Sequence, residues 1–212
     1  MNGMAGAVLA AGAAVLLPPR CAGCDAPGSW LCFTCRQTCE PARLRWEGLA
    51  VRAAGAYEGP LRTAIQRCKY RDERALTEEL GELVAEVLAA DLAVGIPVDA
   101  VVLVPLHPER ARSRGYDQAA LLGAAVARRV DLPVVPALHR IRPTRPQVDL
   151  DRADRARNVD GAFVASAGSL GGLRVALIDD VATTGATCRA AARAARAAGA
   201  RDVRAYVVAV DE

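Results

Sequence analysis

Apolar and polar residues alternate along the chain in blocks whose lengths predict an α/β protein. Five apolar runs predict strands, at residues 101–104, 133–138, 163–165, 175–178 and 203–210. Two segments with helical composition and period predict helices, at residues 118–129 and 188–198. The longest apolar runs do not alternate with polar residues, which is typical of strands buried on both faces of a parallel sheet. The order of strands and helices therefore favours a parallel sheet with helices on both faces.

The N-terminal half has a different pattern. Residues 4–17 are apolar and uncharged, which is too short for a typical membrane span, so we expect a helix packed on the protein and no membrane span. A membrane or signal role is the less favoured alternative, because no basic residues precede the apolar segment. Further along, apolar positions at helical spacing predict two amphipathic helices on either side of residues 69–72. The simplest interpretation of Lys69, between them, is that it belongs to a mixed polar surface.

Composition narrows the class of protein. The 212 residues suffice for one full domain with a small addition. The chain is 52% hydrophobic and 24% charged, so it should fold into a globular structure. A formal net charge of +3 is too small to indicate nucleic-acid binding by itself. Aromatic residues make up 4% of the chain, which leaves few side chains for stacking on bases.

Cysteines are concentrated near the N-terminus. Cys21, Cys24, Cys32 and Cys35 form two C-x-x-C pairs separated by seven residues, a spacing typical of tetrahedral zinc sites. Disulfides are the alternative, but such clustering favours a structural metal in a reducing cytosol, and we expect a cytoplasmic protein. Cys39 is a fifth cysteine that could replace one of the four ligands.

Two adjacent carboxylates, Asp179 and Asp180, follow the predicted strand 175–178, and a loop rich in threonine leads from them into the helix 188–198. Such a loop offers hydroxyls and backbone N–H groups to a phosphate at a helix N-terminus. The carboxylates would repel a phosphate but could accept hydrogen bonds from sugar hydroxyls or bind Mg²⁺. A phosphorylated ribose satisfies both requirements; the alternative is an ordinary turn with threonine caps.

This stretch resembles the signature of type I phosphoribosyltransferases, which bind phosphoribosyl pyrophosphate (PRPP). The resemblance implies that Asp179 and Asp180, the catalytic candidates, face the ribose 2′- and 3′-hydroxyls. The residues that would bind the 5′-phosphate are Ala182, Thr183, Thr184, Gly185, Ala186 and Thr187. A parallel sheet of this type carries its ligand at the carboxyl ends of the strands.

Almost the whole chain resembles the ComF/GntX-like competence family, a bacterial group of phosphoribosyltransferase-like proteins associated with DNA uptake. The matching blocks are the cysteine pairs and residues 104–108, 114–118, 142–147, 157–163 and 179–187. The resemblance implies a pyrophosphate loop containing Pro105, Leu106, His107, Arg110 and Arg114. It also implies a flexible loop that closes over PRPP and contains Arg142, Arg145, Gln147, Arg157 and Asn158. Arginines suit pyrophosphate because they bind it bidentately, although solvated surface charge is the alternative for each of them.

The resemblance predicts four parts, which are an apolar helix at 1–17, a zinc knuckle at 18–48, a helical hood or linker at 49–95 and a phosphoribosyltransferase-like domain at 96–212. We expect the protein to bind PRPP with Mg²⁺ and to act with DNA-uptake proteins. One alternative is an active phosphoribosyltransferase of nucleotide salvage or nucleoside metabolism, and another is an accessory protein that binds single-stranded DNA through the knuckle. Thr183 stands where purine-salvage relatives have an aspartate base, so we expect transfer to common bases to be slow or undetectable.

Overall fold

The structure is a computed structural model that describes residues 18–71, 73–106, 117–142, 159 and 161–211. The apolar helix predicted for residues 1–17 lies outside these ranges. The described helices are α1 (Phe33–Gln37), α2 (Gly59–Tyr70), α3 (Arg74–Ala93), α4 (Gln118–Val130) and α5 (Ala186–Ala197). The described strands are β1 (Ala42–Trp46), β2 (Leu49–Ala56), β3 (Ala100–Leu103), β4 (Leu138–Arg140), β5 (Phe163–Ala165), β6 (Arg174–Ala182) and β7 (Asp202–Val210).

Five of these strands form one sheet in the order β1-β2-β7-β6-β3. Strands β2, β7, β6 and β3 are parallel, and β1 is an antiparallel edge strand joined to β2. Strands β4 and β5 form a separate antiparallel pair. The predicted α/β class with a parallel sheet is therefore confirmed. The carboxyl ends of β3, β6 and β7 lie side by side, which is where open α/β sheets bind ligands.

Helices cover both faces of the sheet, because alternate residues of each strand point to opposite sides. On one face Ile178 and Tyr206 pack with buried residues of α2, α3 and α4. On the other face Leu177 and Val207 pack with the buried alanines of α5. The sheet is thus buried between two apolar layers, which accounts for the continuous apolar runs in its central strands.

The structure differs from the sequence-based expectations at three places. Residues 49–95 are not wholly helical, because β2 lies in this range and pairs with β7 through six residues. Strand β6 continues beyond residue 178 to Ala182, since its pairing with β7 extends that far. The strand expected at 133–138 is a single parallel bridge between Val101 and Val134, followed by β4. The division of the chain into four parts stays a prediction.

Within the described residues, no helix combines the length and the apolar character needed to cross a membrane.

Candidate functional site

Asp179 and Asp180 lie near the carboxyl end of β6. The Oδ1 atom of Asp179 accepts a hydrogen bond from the backbone N–H of Asp180 at 2.8 Å. The Oδ1 atom of Asp180 accepts one from the N–H of Val181 at 2.7 Å. The Nζ atom of Lys69, at the end of α2, lies 2.9 Å from Oδ2 of Asp180. Three of the four carboxylate oxygens are therefore engaged by groups of the protein itself.

The two carboxylates differ in electrostatic environment. Burial raises the pKa of Asp179 to about 7, and the negative charge of Asp180 adds to this effect. The positive charges of Lys69 and Arg140 act in the opposite direction on the pKa of Asp179 but do not cancel the rise. Asp179 is therefore an acid whose proton can exchange near neutral pH.

The loop after β6 turns sharply at Gly185, whose φ of +68° lies in the left-handed region. A Cβ atom at this position would lie 2.2 Å from Cε3 of Trp46, at the end of β1. Nη1 of Arg189, in the first turn of α5, donates to the carbonyl of Thr184 at 2.8 Å, and its Nε lies 3.3 Å from Oε2 of Glu47. The hairpin of β1 and β2 is therefore packed directly on this loop. Because a side chain at position 185 would also displace Trp46, its effect on ligand binding could not be separated from its effect on the loop.

The hydroxyl of Thr184 lies beside the start of helix α5. Its Oγ1 atom is buried and forms no hydrogen bond with any of the described residues. The N-cap residue of α5 is Gly185, which has no side chain with which to cap the helix. Buried hydroxyls are normally hydrogen-bonded, so this one, beside a helix N-terminus, is suited to an anionic ligand.

Only some of the residues predicted for the other two loops fall within the described ranges. Pro105 and Leu106 are half-buried and follow β3, where the N–H of Val104 donates to the carbonyl of Ile178 at 3.0 Å. The start of the expected pyrophosphate loop thus lies beside β6 at Ile178, one residue before Asp179. Arg142 is exposed and follows β4. His107, Arg110, Arg114, Arg145, Gln147, Arg157 and Asn158 lie outside the described residues.

The thiols of Cys21, Cys24, Cys32 and Cys35 converge, and all four sulfur atoms lie within 4.8 Å of one another. Cys32 immediately precedes α1, and Cys35 lies within that helix, so the second C-x-x-C pair is built on one helical turn. Four convergent soft ligands match the donor set and number that structural zinc requires. We refer to these four residues as the cysteine cluster, which is a possible zinc site.

The backbone of the cysteine cluster favours a thiolate at Cys21. Burial alone would raise the pKa of this thiol, but the backbone N–H groups of Cys32, Cys24 and Gly23 together lower it to about 6. The N–H groups of Cys32 and Gly23 lie 3.3 and 3.4 Å from its sulfur. Such N–H contacts stabilise the anionic form that binds metals. Cys39 is not part of the cluster, and its thiol instead faces the carbonyl of Cys35 at 3.7 Å.

Comparison with known proteins gives the family. The chain is 30% identical over 196 residues to competence protein F of Haemophilus influenzae, covering 89% of this chain and 83% of that protein. This chain belongs to the ComF family. The DNA utilization protein YhgH of Escherichia coli is 33% identical, and the match covers 81% of this ComF-family chain and 74% of YhgH. Competence protein ComFC of Streptococcus pneumoniae is 28% identical, and the match covers 88% of this chain and 85% of ComFC. No protein-family model matches the sequence.

Two solved structures show low similarity to this ComF-family chain. Glutamine PRPP amidotransferase of B. subtilis, complexed with ADP and GMP, is 24% identical with a TM-score of 0.43 over 62% of the chain; the chain spans 25% of that protein. Adenine phosphoribosyl transferase of Trypanosoma brucei is 14% identical with a TM-score of 0.46, over 76% of this chain and 83% of that protein.

Sequence reasoning missed three residues of the site. From the sequence, a mixed polar surface is the simplest interpretation of Lys69, no pattern marks Arg140, and Trp46 is one of the few aromatic residues near the knuckle that could stack on bases. Their contacts with Asp180, Asp179 and Gly185 join distant parts of the sequence, so no local spacing indicates them. One signal was available for Lys69, because it is the only lysine in a chain whose other basic side chains are arginine or histidine.

Proposed function

We propose that this ComF-family chain binds PRPP at the carboxyl end of β6. The observation that supports this most directly is the buried hydroxyl of Thr184, which has no hydrogen-bond partner in the described part of the chain and lies beside the N-terminus of α5. These groups suit the 5′-phosphate, because the helix start supplies N–H donors and a favourable dipole. Asp179 and Asp180 then accept hydrogen bonds from the ribose hydroxyls.

The experiment is isothermal titration calorimetry with PRPP on the wild type and Asp179→Asn. We expect the wild type to bind and the variant to bind about tenfold more weakly, because an amide is a poorer acceptor for a hydroxyl than a carboxylate. Asp131→Asn, at the exposed end of α4, is the control for loss of one carboxylate elsewhere. Equal affinity in all three proteins would place the ligand away from β6.

The expectation that Mg²⁺ accompanies PRPP stays a prediction. The acidic pair does not fit a directly bound Mg²⁺ in this arrangement, because the Lys69 ammonium lies 2.9 Å from Oδ2 of Asp180 and would repel a divalent cation there. Mg²⁺ requires near-octahedral coordination by carboxylates, ligand oxygens and water. We therefore assign no role to a metal held by Asp180.

The cysteine cluster fits zinc, which would be held by its four thiolates with no open position and would contribute folding energy only. The test is metal analysis with thermal unfolding of Cys24→Ser, which should lose zinc and melt more than about 5 °C lower. Cys39→Ser is the control, because its thiol lies outside the cluster, and it should keep both the metal and the melting temperature. Freshly purified wild type with less than about half an equivalent of zinc would contradict the assignment.

We further propose that PRPP binding serves DNA uptake or utilisation, as the names of the relatives indicate for those proteins. Transfer to a base is the competing function. It needs an acceptor near the ribose C1 and often a base to take its proton, and the half-buried hydroxyl of Thr183 is too weak a base unaided. Incorporation of radiolabelled adenine, guanine, hypoxanthine, uracil or orotate, abolished in Asp180→Ala, would instead identify an ordinary phosphoribosyltransferase.

Single-stranded DNA binding is a second candidate function, favoured by a cleft of about 570 Å³ beside the cysteine cluster. Arg20, Arg67, Arg71 and Trp30 contribute to its walls, and the Arg67 guanidinium lies 5.8 Å from the Trp30 ring. Arginines and the half-buried ring of Trp30 suit a phosphate backbone and a stacked base. A gel-shift titration at two salt concentrations tests this, with affinity expected to fall with salt and in Trp30→Ala. No binding at low salt would contradict it.

A further inference from the structure

Lys69 is the residue whose position the proposed function does not explain. Its side chain leaves the last turn of α2 and reaches the end of β6, where Nζ lies 2.9 Å from Oδ2 of Asp180. Both side chains are only 19% exposed. An ion pair so largely removed from water is not the solvated surface contact that a lysine near a helix end usually makes.

The choice of lysine is itself informative. Lys69 is the only lysine in a chain with many arginines, so an arginine would be the expected cation at this position. An ammonium is a compact point charge, whereas a guanidinium is a planar fork that tends to bind a carboxylate through two parallel hydrogen bonds. Oδ1 of Asp180 already accepts a hydrogen bond from Val181, so a fork that uses both oxygens would compete with that bond. A point charge therefore fits the space beside this carboxylate better than a guanidinium does.

Two adjacent carboxylates at one strand end repel each other when both are ionised, and a nearby cation offsets that repulsion. In many proteins that cation is divalent, and one or two carboxylates with water complete its coordination. Here the ammonium of Lys69 lies at the oxygen atom that a divalent ion would otherwise use. Arg140 supplies a second positive charge that acts on Asp179.

We propose that Lys69 is the resident counter-cation of Asp180 and excludes divalent metals from that carboxylate, so that any Mg²⁺ accompanying a phosphoribosyl ligand is held by the oxygens of the ligand and by water. Lys69 is a positioning residue in this role, because it holds Asp180 oriented toward the ligand. The part of this inference that concerns the ligand depends on the proposed function, and the part that concerns metal exclusion does not.

Metal exclusion is tested with Mn²⁺ alone, by electron paramagnetic resonance, on the full chain with zinc bound. The wild type should show no specific Mn²⁺ binding up to roughly 1 mM, whereas Lys69→Met should gain about one site at least tenfold tighter. Mn²⁺ prefers oxygen ligands, so the cysteine cluster does not compete for it. Lys69→Arg keeps the charge and should continue to exclude the ion.

Two further variants make the result specific. Lys69→Met combined with Asp180→Asn should lose the new Mn²⁺ site, which assigns the site to Asp180. Arg62→Met removes one positive charge from an exposed position of the same helix and should behave as the wild type. Circular dichroism of each variant verifies folding. A folded Lys69→Met that binds Mn²⁺ no better than the wild type would overturn the proposal, as would tight Mn²⁺ binding by the wild type that Asp180→Asn removes.

The effect of Lys69 on ligand binding is tested by calorimetry with PRPP in the presence of either Mg²⁺ or EDTA. In EDTA, Lys69→Met should bind PRPP about tenfold more weakly than the wild type, and Mg²⁺ should remove this difference by replacing the lost positive charge beside Asp180. Equal Mg²⁺ dependence in both proteins would overturn the role of Lys69 in ligand binding. If the wild type does not bind PRPP at all, the proposed function fails, and the Mn²⁺ measurement still decides whether Lys69 excludes metal.

Discussion

At the scale of single residues, the Thr184 hydroxyl gives the sharpest test of the phosphate site. Its Oγ1 is buried without a partner among the described residues, so Thr184→Val removes an unsatisfied polar atom while keeping the shape. We expect the free energy of unfolding to stay equal or rise, because no hydrogen bond is lost. PRPP binding should weaken about tenfold, since a charge-assisted hydrogen bond to phosphate is lost.

The matched control for Thr184→Val is Thr63→Val on α2. Its hydroxyl is exposed and donates to the carbonyl of Gly59 at 3.2 Å, so it is already paired within its own helix. Calorimetry and urea unfolding of both variants separate affinity from stability. A Thr184→Val protein that binds PRPP like the wild type would show that the phosphate does not contact this hydroxyl.

Asp179 predicts a specific dependence of stability on pH. Its pKa is raised to about 7 in the folded protein, whereas an unfolded aspartate titrates near 4. Between these values the folded chain retains a proton that the unfolded chain releases, so the free energy of unfolding contributed by this group falls as pH rises from about 4 to about 7. Below about pH 4 the contribution is fully present, and above about pH 7 it is lost.

Urea unfolding of the wild type and Asp179→Asn from pH 5 to pH 8 measures this contribution, because other titrating groups cancel in the comparison. The wild type should lose stability relative to the variant as pH rises toward about 7. Asp131→Asn should run parallel to the wild type. A constant difference between wild type and Asp179→Asn would contradict the raised pKa.

At the scale of elements, the β1–β2 hairpin connects the N-terminal part of the chain to the phosphate loop. Its two-residue turn, Glu47 and Gly48, has positive φ at both positions, as the tight hairpin turn requires. This turn places the Trp46 ring against Gly185 and Glu47 beside Arg189. The loop and the hairpin therefore cannot rearrange independently.

We predict that PRPP changes the fluorescence of Trp46. Trp30→Phe leaves Trp46 as the only tryptophan, and its emission should shift or change in intensity as PRPP saturates the loop. Trp46→Phe leaves only Trp30 and should show little response. Equal responses in the two variants would mean that the signal does not come from the contact with Gly185.

At the scale of the whole molecule, the sequence predicts the parts of the fold whose signals are local. Strands β3, β6 and β7 are apolar runs, and α4 has a clear helical period, so their existence follows from the sequence. Strand β2 was missed because its alanines and glycine lack the β-branched residues that mark strands. The candidate site likewise contains parts that have a local sequence signal and parts that have none. The acidic pair and its loop are one contiguous segment, whereas the contacts of Lys69, Arg140 and Trp46 exist only in three dimensions.

A buried polar network joins the helical layer to the sheet, and its contacts also link residues that are far apart in the sequence. Asp91 of α3 is only 2% exposed and lies 3.0 Å from Nη2 of Arg52 on β2, whose side chain is 10% exposed. The hydroxyl of Tyr206 on β7 donates to the other Asp91 oxygen at 3.1 Å. A signal was present in the sequence, because the spacing of Val84, Leu88 and Asp91 places a carboxylate on the apolar face of a predicted helix.

We predict a strong asymmetry among variants of this network. Asp91→Leu leaves the Arg52 guanidinium buried without its counter-charge and should cost about 3–5 kcal/mol of unfolding free energy. Tyr206→Phe removes one hydrogen bond and should cost only about 1 kcal/mol. Arg52→Met combined with Asp91→Leu removes both charges and should recover much of the loss, because two apolar side chains need no partners. Urea unfolding of the wild type, Arg52→Met, Asp91→Leu and the double variant completes a double-mutant cycle. A double variant less stable than Asp91→Leu alone would contradict the prediction, because removing the unpaired Arg52 guanidinium should restore stability.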